Sequence, residues 1–199
     1  MASKFLVITG PSGAGKTTVI EYLLKVPLFE LSVSYTTREP RKDEIDGKYY
    51  FFISKEEFER KIAENFFVEY VEFNGNYYGT PHKSLEEDKI VILDIELGGL
   101  RFFKQRNPRS FFCLIKVDRS TMEKRLLKRV YSNFEGDLQV DEDDFKKRMC
   151  SFDLFNEVEQ QFEFNKIIDN SKSIENTLRQ AQDLADEVIE YYDVICKDL

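Results

Sequence analysis

The sequence has no tryptophan, a single histidine, His82, and only three cysteines, Cys113, Cys150 and Cys196, which lie far apart. Because no C-x-x-C pair exists, one histidine and scattered thiols leave too few ligands for a zinc site. The odd number of cysteines also favours a reducing, intracellular setting over a disulfide framework. We therefore expect a cytoplasmic protein in which Cys113, within the apolar run "SFFCLIKV", is a buried thiol.

The chain also has no excess of basic residues and no long hydrophobic run. Its 37 acidic and 29 basic side chains give a formal charge of −8, which argues against a nucleic-acid binder held by general electrostatics. The longest N-terminal apolar run, "FLVI", is too short for a signal peptide, and no stretch approaches a membrane span. We expect no nucleic-acid or membrane partner, and a monomer, since nothing suggests an obligate partner.

What the chain does have is enough material for one buried core: 199 residues, 42% of them hydrophobic. "KFLVITG" predicts a short buried strand and "GKTTVIEYLLK" a helix that follows it directly. "KIVILDI" and "SFFCLIKV" have the continuous apolar character of strands buried on both faces, and "NKIIDN" could add another such strand. Strands that alternate with helices predict an α/β fold, with a mostly parallel sheet flanked by helices.

Three further segments, "KYYFFI", "FFVEYVEF" and "GNYYGT", predict a small β-rich lobe inserted into that core. Within it, "SKEEFERKIAEN" predicts a helix capped by Ser54, with Glu57 completing a capping box. A last helix is predicted near the C-terminus, with one apolar face that covers the sheet. The residues of that face are Ile174, Leu178, Ala181, Ala185, Val188, Tyr192 and Ile195.

The motif with the clearest chemistry is "GPSGAGKT", residues 10–17, which fits G-x-x-x-x-G-K-[ST] at every defined position. Glycines let successive backbone N–H groups point at phosphate oxygens, and the following helix adds its positive N-terminal end. Lys16 would reach the β- and γ-phosphates, and the Thr17 hydroxyl would coordinate Mg²⁺. Because the sequence predicts a strand directly before this motif and a helix directly after it, we predict that the motif binds the phosphates of a nucleotide.

A phosphate loop also needs an acidic partner near the metal, and Asp94, at the end of "KIVIL", is the best candidate. We predict that it holds Mg²⁺ through water; the alternative is a capping aspartate. Bound phosphates alone do not separate a kinase from a GTPase or a mechanical ATPase. The guanine-selective GTPase signature N-K-x-D is absent, because "NKIID" has its aspartate one residue too far along.

The stretch "SYTTREPR", residues 34–41, concentrates hydroxyls and arginines in an otherwise acidic chain. If one nucleotide sits on residues 10–17, Arg38 and Arg41 could bind a second phosphate through bidentate, charge-assisted hydrogen bonds. The alternative is that these arginines lie in a solvated loop and pair with Glu39, Asp43 or Glu44.

Three motifs in order, "GPSGAGKT", "VSYTTREPRKDEIDGKYYFF" and "FVEYVEFNGNYYGT", resemble guanylate kinase. The resemblance runs from about Lys4 to Leu126 and returns at "KIIDN". It implies a P-loop kinase core (residues 1–32, 85–125 and 150–199), a GMP-binding lobe (33–84) and a helical lid (126–149). The implied reaction transfers the ATP γ-phosphoryl group to GMP, and to dGMP as well, with Mg²⁺ as cofactor.

The resemblance also implies roles for individual residues. Glu69 would accept both the N1–H and the exocyclic amine of guanine, a pair of adjacent donors that adenine lacks. Catalytic roles fall to Lys16, Arg38, Arg41, Arg129 and Arg148. ATP binding falls to Gly10, Ser12, Gly13, Ala14, Gly15, Lys16, Thr17, Thr18 and Asn170. GMP binding falls to Ser34, Arg38, Arg41, Tyr50, Glu69, Tyr78, Thr80 and Glu96, and the metal to Thr17 and Asp94.

The chain departs from the family at two places. The lid lacks the family's short R-G-T-like turn and has a longer acidic segment in its place. That segment contains "DEDD" (141–144), which is most simply a solvated patch at the start of a helix. Arg125, just before the lid, could equally be a residue of the helix surface. Glu96 stands where the family usually has aspartate, and "LGG" replaces a glutamine-glycine pair. The Glu96 carboxylate either contacts GMP from about 1.5 Å further out or rotates away.

Two rival functions remain. A P-loop kinase of another nucleoside monophosphate is disfavoured by Glu69, which adenine would leave buried and unpaired. The second is a catalytically inactive guanylate-kinase-like binding module. Such modules characteristically lose the phosphate loop, whereas this chain retains Gly10, Gly15, Lys16 and Thr17 together.

Overall fold

The structure is a computed structural model that describes residues 4–40, 44–73, 75–82, 88–132 and 142–195, without the side chains of 102, 129–132, 142–144, 147 and 151. In chain order its elements are β1 (Lys4–Thr9), α1 (Lys16–Leu23), β2 (Phe29–Leu31), β3 (Ser34–Thr36), β4 (Tyr50–Phe52), α2 (Lys55–Ala63), β5 (Phe67–Phe73), β6 (Asn76–Pro81), β7 (Ile90–Asp94), α3 (Leu97–Arg106), β8 (Phe111–Lys116), α4 (Arg119–Ser132), α5 (Glu142–Gln161), β9 (Lys166–Asp169) and α6 (Ile174–Ile195).

The larger sheet has the strand order β2-β7-β1-β8-β9, and every neighbouring pair is parallel. Its three central strands, β7, β1 and β8, are buried on both faces, which is why they read as continuous apolar runs. In β1, for example, Leu6 and Ile8 pack into one hydrophobic cluster with α1 and α6, while Val7 packs into the other with α3. The edge strands β2 and β9 are partly exposed, and Ile167 of β9 is 39% exposed. The predicted α/β fold with a parallel sheet flanked by helices is confirmed.

The smaller sheet has the order β4-β3-β6-β5 and lies between β2 and β7 in the chain. β3 pairs with β4 in parallel and with β6 antiparallel, and β5 and β6 form an antiparallel pair. α2 packs on this sheet through Phe58, which is fully buried and stacks on Phe67 and Tyr77. The boundaries predicted for this lobe stay a prediction.

The helices near the C-terminus differ from expectation in two details. In α6 the residues Ala181, Ala185, Val188 and Tyr192 are buried as predicted, and Leu178 and Ile195 are partly buried, but Ile174, the first residue of the helix, is half exposed. Both predicted ends of the lid, at 125/126 and 149/150, fall inside helices, α4 and α5. Within the described ranges, no helix is long and apolar enough to cross a bilayer.

Replacing Ser54 with alanine is expected to lower the free energy of unfolding by about 1 kcal/mol. The Ser54 side chain accepts a hydrogen bond from the Glu57 backbone N–H at 3.1 Å and so satisfies one donor of the first turn of α2. Urea denaturation would measure the change. Ser54→Asp keeps an acceptor at the same place and should behave like the parent protein; an equal loss in both variants would contradict the cap.

Candidate active site

The residues predicted to bind ATP converge at the carboxyl ends of the parallel strands. The phosphate loop follows β1, Asp94 ends β7 beside Ile8 of β1, and Asn170 follows β9. Parallel strands end at the same edge of a sheet, and ligands of open α/β sheets bind at that edge. Side chains far apart in the chain are therefore brought together around residues 10–17.

The phosphate loop leads directly into α1. Gly15 has φ 92° and ψ 27°, a left-handed conformation that favours glycine. A Cβ atom at this position would lie 2.1 Å from Asn170 Nδ2, so a side chain would also collide with a buried neighbour. Lys16 then begins α1, whose N-terminal N–H groups have no partner within the helix. The result is a concave, donor-rich turn at a helix N-terminus, suited to phosphate.

Asn170 holds this loop in place through hydrogen bonds of its side chain. Its Nδ2 donates to the Ala14 carbonyl at 2.7 Å, and its Oδ1 accepts from the Thr177 hydroxyl at 2.6 Å. Asn170 is buried, with 5% of the residue exposed. Asn170 lines the cavity over the loop, and the ATP contact predicted for it stays a prediction. These hydrogen bonds give it a second role, which is to fix the position of Ala14.

Two arginines, one from α4 and one from α5, reach the phosphate loop. Arg125 donates to the Gly13 carbonyl at 3.3 Å and to the Asn170 carbonyl at 2.9 Å. Arg148 donates from Nη1 to the Ser12 hydroxyl at 2.7 Å. Arg125 is thus a residue of the site and not the helix-surface residue allowed by the sequence. Arg129 lies in α4, but its side chain is outside the described part of the structure.

Lys16 lies at the centre of the charged groups. Its Nζ donates to the Gly10 carbonyl at 2.8 Å and lies 3.7 Å from Asp94 Oδ1 and 4.0 Å from Glu96 Oε1. Burial raises the pKa of Asp94 to about 6, even though the nearby Lys16 ammonium opposes the shift. Glu96 therefore faces the phosphate loop; the contact with GMP predicted for it stays a prediction.

Oxygen atoms near this lysine fit a magnesium ion. Asp94 Oδ1 is buried, and no described residue donates a hydrogen bond to it. Thr17 presents its hydroxyl at the exposed first turn of α1. Among the described residues, no three acidic, histidine or cysteine side chains cluster into a protein-only metal cage. One or two protein oxygens with nucleotide phosphates and water are the ligands that Mg²⁺ takes in phosphoryl-transfer sites.

Five of the residues predicted to bind GMP share one face of the smaller sheet, in which Thr36 of β3 lies opposite Tyr78 of β6. The strand register pairs Ser34 with Tyr50 and Glu69 with Thr80, and Tyr78 precedes Thr80 by two residues. Residues two apart on a strand point to the same side, so these five side chains project together. Burial, and then the charges of Asp94 and Glu96, raise the pKa of Tyr50, so its phenol stays a hydrogen-bond donor.

Glu69 is the buried carboxylate of this face, with 6% of the residue exposed. The Thr80 hydroxyl donates to its Oε1 at 2.5 Å. Burial raises the pKa of Glu69 to about 7, against the hydrogen bonds from Thr80, and Glu96 adds repulsion. The carboxylate lies over the first turn of α3, where a Cβ at Gly99 would come within 2.3 Å of Oε2. Gly99 is therefore required for Glu69 to sit there.

Arg38 is held beside the same face, and its partner is Glu44. Nη1 and Nη2 donate to the two oxygens of the Glu44 carboxylate, each at 2.9 Å. The pairing with Glu44 that the sequence allowed is thus present. Arg41, predicted to hold the same phosphate, lies outside the described residues.

Two adjoining cavities accommodate these groups. One, of about 750 Å³, is lined both by the phosphate loop and by Ser34, Arg38, Tyr50 and Tyr78. The other, of about 880 Å³, is lined by Glu69 and Thr80, and Ser32 lines both. The phosphate loop thus shares one cavity with Arg38, Tyr50 and Tyr78, which are predicted to bind the acceptor phosphate. Glu69 and Thr80, predicted to contact the base, line the neighbouring cavity, whereas Ser34, predicted to do the same, lines the first one.

Comparison with known proteins identifies the relatives of this chain. The sequence model described as guanylate kinase matches residues 2–188. The chain is 45% identical over 129 residues to the guanylate kinase of Clostridium acetobutylicum, an alignment that covers 62% of each chain. It is 39% identical over 153 residues to that of Rubrobacter xylanophilus, covering 74% of this chain and 76% of the relative.

A solved structure supports the fold independently. The guanylate kinase of Anaplasma phagocytophilum superposes with a TM-score of 0.70 over 94% of this chain and 85% of its own, at 24% sequence identity. Because the family match extends over nearly the whole chain and the fold agrees, this chain belongs to the guanylate kinase family.

Proposed function

We propose that this protein transfers the γ-phosphoryl group of ATP to GMP, and to dGMP, giving ADP and the nucleoside diphosphate. The observation that carries the proposal is the single cavity lined both by the phosphate loop and by Arg38, Tyr50 and Tyr78. Two phosphate-binding groups that face one cavity allow a donor and an acceptor phosphate to be held in line. Family membership supports the same reaction.

In this reaction an oxygen of the GMP phosphate attacks the γ-phosphorus of ATP, and the bond from that phosphorus to the β,γ-bridging oxygen breaks. The acceptor is already an anion, so little covalent chemistry is asked of the protein. The chain contributes alignment of the two phosphates and cationic stabilisation of the charge on the transferring group. Lys16 and Arg148 act from the phosphate loop side, and Arg38 and Arg41 from the acceptor side.

Thr17 and, through water, Asp94 would hold the Mg²⁺ that accompanies ATP. Bound there, the ion would neutralise charge on the β- and γ-phosphate oxygens. Specificity for guanine would come from Glu69, whose ionised carboxylate accepts the two adjacent donors of that base. Ser34 and Thr80 would complete the contacts with the base edge. Cytoplasmic location and the monomeric state stay predictions from the sequence.

The test is release of ADP from ATP and Mg²⁺ with GMP, dGMP, AMP, CMP and UMP offered in parallel. GMP and dGMP should be turned over, and AMP should be disfavoured by about 10⁴-fold in kcat/KM, because it leaves Glu69 without its donors. Comparable turnover of AMP would favour the kinase of another nucleoside monophosphate. Binding of ATP with no turnover of any acceptor would favour the inactive binding module.

The affinity for GMP is expected to fall as the pH falls through 7. Because the pKa of Glu69 is raised to about 7 in the free protein, the carboxyl is largely protonated below that pH. It must then lose its proton to accept hydrogen bonds from guanine, so the Kd should rise by about tenfold for each pH unit well below 7 and level off above 8. Calorimetry with GMP alone would measure this.

Two features of that experiment isolate Glu69. Omitting ATP and Mg²⁺ removes the influence of Asp94, whose pKa is also raised, to about 6. Glu69→Gln supplies the baseline, since the phosphate of GMP itself titrates identically with both proteins. The same pH dependence in both would assign the effect to the ligand and would contradict the role of Glu69.

A further inference from the structure

The loop between β3 and β4 holds Arg38 in an unusually well-defined position. The guanidinium donates two parallel hydrogen bonds to Glu44, and Nη1 also donates to the Glu39 carbonyl at 2.6 Å. Its Cζ atom lies 5.8 Å from the centre of the Tyr50 ring and 5.5 Å from that of Phe52. Only 13% of the Arg38 side chain and 20% of the Glu44 side chain are exposed. The guanidinium is thus held by hydrogen bonds along one edge, with two aromatic rings close to it.

A count of donors shows what this arrangement leaves available. A guanidinium has five N–H groups, and two of its edges can bind a two-oxygen acceptor. Nη1 uses both hydrogens, on Glu44 and Glu39, and Nη2 uses one on Glu44. The other hydrogen of Nη2 and the hydrogen of Nε form the second edge, and no described residue accepts from either. A complete bidentate edge therefore remains for a ligand.

Glu44 could act in one of two opposite ways. As a competitor, it would occupy the site of the acceptor phosphate and would have to leave before GMP binds. As a support, it would hold the guanidinium from one edge while the phosphate binds the other. The free edge favours the second role. The rings of Tyr50 and Phe52 do so as well, because they limit the space into which the Arg38 side chain could move.

We infer that Glu44 is a positioning residue for the acceptor phosphate, because it fixes Arg38 with the Nε/Nη2 edge directed to the ligand. The inference rests on the proposed function, since it takes the acceptor to be GMP. Glu44 does not touch the substrate; it acts through Arg38. Preorganisation of this kind lowers the ordering cost of binding, so its loss should appear in the affinity for GMP.

The experiment compares Glu44→Gln with Glu39→Gln. Both replacements remove one negative charge from the same loop, but the Glu39 side chain is exposed, and only its backbone carbonyl bonds to Arg38. In Glu44→Gln, the KM and the calorimetric Kd for GMP should rise by about tenfold, the effect of losing one charge-assisted hydrogen bond. The KM for ATP should change by less than about twofold, as for contacts that do not couple. Glu39→Gln should match the parent protein in all of these quantities.

Two further variants separate positioning from a general loss of structure. Glu44→Asp keeps the charge and should recover part of the affinity for GMP. In an Arg38→Lys background, Glu44→Gln should have little further effect, because lysine has no second edge to direct. A lower KM for GMP in Glu44→Gln would identify Glu44 as a competitor and overturn the inference. An unchanged KM, or an equal loss in the Arg38→Lys background, would overturn it as well.

The inference and the proposed function can fail separately. Turnover of GMP by the parent protein together with an unaffected Glu44→Gln variant would leave the function standing and remove the role of Glu44. If the parent protein binds GMP without turning it over, and Glu44→Gln weakens that binding, the role of Glu44 stands and the proposed function is wrong. If the parent protein binds no GMP, both are wrong.

Discussion

Replacing Lys16 with alanine is expected to reduce turnover by at least about a thousandfold, as loss of a transition-state charge contact does. Lys16 Nζ lies among the Gly10 carbonyl, Asp94 and Glu96, at the mouth of the phosphate loop. In the absence of its charge, two carboxylates would face the transferring phosphoryl group with no ammonium between them and it. Steady-state measurements of kcat, with ATP and GMP both saturating, would show the loss directly.

Lys25→Ala is a suitable control, because Lys25 is an exposed residue just beyond the other end of α1. It loses the same charge at a distance from the phosphate loop and should retain full activity. A Lys16→Ala protein with activity within tenfold of the parent would mean that the loop binds phosphate without contributing to transfer, since a tenfold change is only about 1.4 kcal/mol.

The second large effect is expected for Glu69→Gln, which should lower kcat/KM for GMP by about 10³-fold or more. A glutamine amide has one acceptor oxygen, and its NH₂ group would face a donor of guanine instead of accepting from it. The ratio of kcat/KM for GMP to that for AMP would fall correspondingly. Parallel assays of the two acceptors would measure it.

Glu72→Gln on the same strand is the matched control. Glu72 is exposed, lies three residues along β5 and so projects from the opposite face. Folding can be checked separately: because burial disfavours the charged form of Glu69, the neutral glutamine should leave thermal stability at pH 8 unchanged or higher. An unchanged preference for GMP over AMP in Glu69→Gln would show that another group reads the base.

Local patterns in the sequence predicted much of the secondary structure but not β2, β3 or α3. Continuous apolar runs predicted the central strands β1, β7 and β8, because a parallel strand inside a sheet is buried on both faces. The short edge strand β2, "FEL", has no such run. Ser54 was identified as a cap because a short hydroxyl side chain suits the first turn of a helix. The exposure of Ile174 was missed, since spacing shows which residues share a helix face but not how far along the helix the sheet extends.

Two parts of the site were beyond sequence reasoning because they depend on how helices and loops pack. Arg125 is adjacent to Leu126, whose burial beside Gly13 brings the arginine onto the phosphate loop. Glu44 was one of three acidic candidates for pairing with Arg38, and composition alone could not choose among them.

The sequence by itself determined the α/β class, the phosphate loop and the acidic residue at the end of β7, because each depends on residues close together in the chain. Only the tertiary structure decided which edge of Arg38 remains for a ligand and that Glu69 is buried against Gly99. It also decided that Asn170 and Arg125 hold the loop. Arg38 and Glu44 are only six residues apart, but the other contacts join residues distant in the chain, and their distances are set by the packing of the two sheets and of α3, α4 and α6.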